Sequence, residues 1–178
     1  MPPTIVCPAP QTGAEFATRL CMTLVAPGAL EVSAKHVDGV LRTAELLQEA
    51  RQHERAGRIR EAMDCCMAAV AEAAWCGAWA AQAVGLRRLG VLHHQRNEMA
   101  AARETCRTSV EVALRAGEPT IAVEALLALG NFEASNGHIE AARDCYLEAL
   151  EALGDERSEM KGRIEYQMEQ LKTQTQAA

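Results

Sequence analysis

Residues 126–150, LLALGNFEASNGHIEAARDCYLEAL, decide how this chain folds. Apolar residues recur three and four apart on either side of Asn136-Gly137, which predicts two helices joined by a tight turn. Moved back by 40 residues, the stretch lies on 86–110, LRRLGVLHHQRNEMAAARETCRTSV, and moved again on 46–70, LLQEARQHERAGRIREAMDCCMAAV. Leu46, Leu86 and Leu126 then coincide, as do Ala50/Gly90/Gly130, Ile59/Met99/Ile139, Ala62/Ala102/Ala142 and Val70/Val110/Leu150. The helix breakers keep the same period, Gly57/Asn97/Gly137 in one register and Gly77/Gly117 in another. A fixed internal period of this length is the mark of a repeat array.

Chemistry assigns each column a task. Glycine and asparagine tolerate a left-handed backbone, so Gly57, Asn97 and Gly137 should end one helix just before the next begins. Pro119, two residues beyond Gly117, suits the first turn of a new helix. Each unit therefore reads as helix, turn, helix, with helices of about 14 to 17 residues. The small residues Ala50/Gly90/Gly130 and Ala62/Ala102/Ala142 let the paired helices cross closely, and larger ones such as Leu126, Leu129, Tyr146 and Leu150 fill the space beside the crossing. One such pair cannot bury its apolar face alone; stacked neighbours do that.

Composition agrees. Half the residues are apolar (49%) but only 3% are aromatic. Alanine and leucine therefore carry the core, as in closely packed helices, and no alternating run offers a sheet. A net charge of −6 argues against general nucleic-acid binding. The odd set of seven cysteines shows neither zinc-pair nor disulfide-framework spacing, which points to a reducing cytoplasm. No apolar run is long enough for a membrane span. The apolar stretch 20–30 follows a long leader and is broken by Pro27-Gly28, so it does not read as a signal peptide.

The third unit, Leu126-x-x-Leu129-Gly130-x-x-Glu133 followed by Ala142-x-x-x-Tyr146-x-x-Ala149, resembles the tetratricopeptide repeat family. The second unit follows with Leu86, Leu89, Gly90, Ala102 and Cys106, and the first with Leu46, Ala50, Ala62 and Ala69. Two features depart from the family: His53, His93 and Glu133 stand where its first helix carries an aromatic, and the proline between units is missing. The 40-residue period also exceeds the family's 34, which resembles its longer-helix variety of bacterial regulators and scaffold proteins.

The resemblance implies an all-α, right-handed α-solenoid of antiparallel helix pairs, with three repeats and capping helices. The repeats fall at about 41–79, 80–119 and 120–154. A proline-rich leader over 1–12 is expected to be disordered. Residues 13–40 hold a capping helix (Phe16, Leu20 and Leu24 at four-residue spacing) and the start of the first repeat helix. Residues 155–173 form a terminal cap with Met160, Ile164, Tyr166 and Leu171 on its apolar side, and 174–178 are a frayed tail.

The family's peptides lie in a groove lined by the first helix of each unit. The resemblance places Arg51, Arg55, Arg87, Val91, His94 and Asn131 there, beside Leu47, Glu54, Gln95 and Leu127. Guanidinium groups suit carboxylates, so the expected partner is a protein or peptide, with an acidic or C-terminal segment as one form; the alternative is that these arginines are solvated or pair with nearby glutamates. The implied function is a non-catalytic adaptor or scaffold. The alternatives are a ligand- or peptide-sensing regulatory module with a separate effector, and an end-to-end homo-oligomer, a homodimer being its smallest form.

Other features read as structural. Adjacent helix residues point about 100° apart, so His93-His94 and Cys65-Cys66 make poor chelates and no metal or cofactor is expected. Ser33, Ser109, Ser135 and Ser158 lie in no nucleophile context, and no phosphate-binding loop is present, so no enzyme is expected. Trp75 and Trp79 bracket Gly77 and are expected to pack at the junction of two units; a solvent-facing pair would instead be a partner anchor.

Overall fold

The structure, a computed structural model, describes residues 27–154 and 159–177. The expected leader over 1–12 and the helix over 14–25 lie outside this range. Among the described residues there are seven helices and no strand: α1 Pro27–Arg55, α2 Ile59–Cys76, α3 Trp79–Gln95, α4 Met99–Arg115, α5 Pro119–Ser135, α6 Ile139–Leu153 and α7 Glu159–Ala177. The all-helical reading holds. The chain divides into two units between Asp38 and Gly39, and the stacked helix pairs belong to the second, Gly39–Ala178.

Five turns join α1 to α6 by one device. In the first, Gly57 N–H donates to Glu54 O (3.0 Å) and Arg58 N–H to His53 O (2.9 Å). The same two bonds recur around Gly77, Asn97, Gly117 and Gly137. They satisfy carbonyls that a helix end leaves unpaired, and they demand a left-handed residue at the bend. All five residues have it, with φ of 72°, 71°, 62°, 73° and 79°. The polar column His53/His93/Glu133 acts here as well. Arg58 Nε donates to His53 Nδ1 (2.9 Å), His93 Nδ1 to Glu98 Oε2 (2.7 Å), and His138 Nδ1 lies 2.8 Å from Glu133 Oε2. Each turn inside a pair is thus latched by side chains five residues apart.

The paired helices cross where the sequence places its smallest residues. A methyl group on Gly90 would run into Cys106 Sγ, and one on Gly130 into the Tyr146 ring. Ala62, Ala102 and Ala142 are completely buried. The third pair therefore combines its smallest first-helix residue with its largest second-helix one, Gly130 with Tyr146. Ser109 Oγ donates to Ala83 O (2.7 Å), which ties α4 to α3 without an unpaired buried hydroxyl. Beyond the pairs, α3 touches α5 and α5 touches α7. The largest core cluster runs through these layers, from Ala83 and Leu86 through Leu126 and Tyr146 to Ile164 and Leu171.

Several expectations need correcting. Trp75 is 71% exposed and Trp79 is 42% exposed, so neither is packed into the junction. The buried residues of α2 are Ala62, Met63, Cys66, Ala69, Ala73 and Cys76; near its C-terminal end all of them are small, and Trp75 is turned away. Tyr166 is also exposed, because the buried side of α7 carries Ile164 and Leu171, and Tyr166 sits about 200° around from Ile164. Helix α7 runs to Ala177, beyond the boundary at 173. On α1, a Cβ added at Gly39 would meet Cys76 Cβ at 2.8 Å, so the glycine permits a close approach there.

Candidate functional site

The last two turns of α1 place Arg51, Glu54 and Arg55 on one side, at the i, i+3, i+4 spacing that shares a helix face. On α3, Arg88 and Gln95 are seven residues apart and likewise share a face. The two faces enclose an open cleft of about 430 Å³ lined by these five residues. Its one internal ion pair joins Arg88 to Glu54 through a single contact of 3.3 Å. Arg51 and Arg55 are exposed and have no ion-pair partner among the described residues. The lining thus holds three guanidinium groups against one carboxylate, in a chain whose net charge is −6.

Arg88 feels this imbalance. Burial pulls its pKa below the ordinary guanidinium value, Glu54 opposes the shift, and the nearby charges of Arg51 and Arg87 add to it. The group stays protonated throughout the physiological range. Its surroundings are nevertheless short of negative charge.

The seam between α3 and α5 is built from the same columns but is closed. Arg87 turns to Glu124 (3.1 Å), and its Nε is buried without a partner. Val91 packs against the core cluster that holds Leu129 and Phe132. His94 stacks on Phe132 with ring centroids 4.2 Å apart, and its Nδ1 lies 3.3 Å from Met99 Sδ. Asn131 accepts a hydrogen bond from Tyr146 Oη (2.7 Å). Leu47 and Leu127, also expected to face a groove, are buried.

Of the six residues singled out from sequence, then, Arg51 and Arg55 come together, while Arg87, Val91, His94 and Asn131 are engaged elsewhere. Arg88 was missed. The signal for it was the heptad spacing to Gln95, which puts both on the side of α3 that faces α1.

A second cleft, of about 670 Å³, lies between α4 and α6 and includes Arg103, Arg107, Glu133, His138 and Asp144. Both of its arginines are already engaged by carboxylates. Arg103 grips Glu133 with two nitrogens, and Arg107 pairs with Glu148 (2.9 Å). Hydrogen bonds from Arg103, chiefly, hold the Glu133 carboxyl below its ordinary range. Burial pushes the thiols of Cys66 and Cys106 up to about 11 and about 12, so both are inert core groups at neutral pH. Ser109 and Ser135 spend their hydroxyls on main-chain carbonyls. No helix among the described residues is long and apolar enough to cross a membrane. No protein-family model matches the chain, and no curated protein is recognisably similar to it in sequence.

Proposed function

We propose that this protein is a non-catalytic adaptor of the tetratricopeptide type, which binds a protein or peptide along the side presented by the first helices of its units. In this reading the units continue one another in a right-handed superhelix. The observation that carries it is the open, polar cleft between α1 and α3, the first helices of two successive pairs. Supporting it are three units whose small-residue columns meet at the same crossing, with one turn geometry throughout. The polar column at 53, 93 and 133 departs from the family's aromatic, and the latches it forms across each turn replace the packing an aromatic would give.

The test is affinity capture from the native lysate, followed by reconstitution of the purified pair and mass determination of the complex. A partner that co-migrates at fixed stoichiometry is the expected result. A chain that captures nothing and self-assembles end to end would overturn the adaptor reading. Fold alone does not assign function, so the partner decides.

A further inference from the structure

The cleft between α1 and α3 has cations to spare and its own provisional anion. Arg51 and Arg55 project from α1 without partners among the described residues, while Arg88 on α3 is held by Glu54 alone. That pair is one contact of 3.3 Å, where a carboxylate facing a guanidinium squarely makes two. The contrast lies within the same molecule: Arg103 takes Glu133 with two nitrogens. Cations on two helices, across a space of about 430 Å³, ask for more than one anionic group at separate points. A single terminal carboxylate supplies one. A run of glutamate or aspartate side chains supplies several, and Gln95 at the edge offers amide donors and an acceptor to the backbone of such a run.

We infer that this cleft docks a carboxylate-rich segment of a partner protein, which displaces Glu54 from Arg88 and engages Arg51 and Arg55. The inference rests on the adaptor reading and adds the chemistry of the partner. Glu54 then has a specific role: it keeps Arg88 neutralised in the empty protein and competes with the incoming carboxylate. Removing its charge strengthens binding, the opposite of what loss of a merely structural ion pair would do.

A labelled, glutamate-rich peptide with an amidated C-terminus is the probe, and its glutamine counterpart is the control, both followed by fluorescence anisotropy. The acidic peptide should bind, more weakly as salt is raised, and the glutamine peptide should not. Arg51→Glu with Arg55→Glu should abolish binding; both side chains are exposed, and circular dichroism checks that the helices remain. Glu54→Gln should tighten binding by about threefold, the scale of a partly exposed ion pair. Failure of the acidic peptide to bind, equal binding of the glutamine peptide, indifference to the charge reversals, or a Glu54→Gln effect that is nil or adverse would each overturn the inference. The double reversal also separates the two ideas: if it still captures the native partner, the adaptor reading stands and this docking point falls.

Discussion

Gly130 and Gly162 are both helical glycines, yet their replacement by alanine should have opposite effects. At Gly130 the added methyl meets the Tyr146 ring, which is buried, bonded to Asn131 and unable to retreat. Overpacking of this kind costs about 1–3 kcal/mol. At Gly162 on α7 nothing lies within 4 Å of the new carbon, and alanine should stabilise by about 0.5–1 kcal/mol. Urea midpoints for the two variants check both signs. Glu133 gives a pH signature. Its carboxylate is held by Arg103 and His138, so the folded state binds that proton more weakly than the unfolded chain does. The associated stability is complete above the unfolded value of about 4.3 and is lost as pH falls through the depressed folded value. Glu133→Gln should remove this acid-side decline and cost about 1–3 kcal/mol at neutral pH, as read from urea unfolding across the pH range.

At the level of elements, the five left-handed turns are the most regular feature, and Asn97 is the one residue among them with a side chain to strain. Asn97→Gly should raise stability slightly, whereas Asn97→Val should cost about 1–2 kcal/mol, since a branched side chain clashes in that conformation. Thermal midpoints of the pair test this. These turns were legible in the sequence because a left-handed bend leaves few residue types to choose from. The rotation of each helix about its own axis was less legible. Arg87 and Arg88 point about 100° apart, so a small error in phase exchanges a residue facing α5 for one facing α1. Trp75 shows the same difficulty from the other side. Size and hydrophobicity recommend it for the core, but around it α2 is buried through Ala69, Ala73 and Cys76, and a large ring cannot enter that seam.

Over the whole of the second unit, helices pack on their sequence neighbours, and contacts also skip from α3 to α5 and from α5 to α7, with Glu54 of α1 reaching Arg88 of α3. Stability in such a stack is close to a sum of local and neighbour terms, so opening should begin at the ends. Helix α5 touches α3, α4, α6 and α7, and its amides should exchange most slowly with deuterium, well behind those of α7; equal protection of the two would contradict a layered architecture. The sequence by itself determined the helical class, the 40-residue spacing, the places where the chain turns and the small residues on which paired helices cross. Those follow from backbone sterics and periodicity, which act over a few residues. Only the tertiary structure decided that one seam between first helices closes over Val91, His94 and Phe132 while the other stays open around Arg51, Arg55 and Arg88. That outcome depends on what each side chain meets across the gap, a bulky ring at one seam and like charges at the other, and no local pattern encodes the encounter.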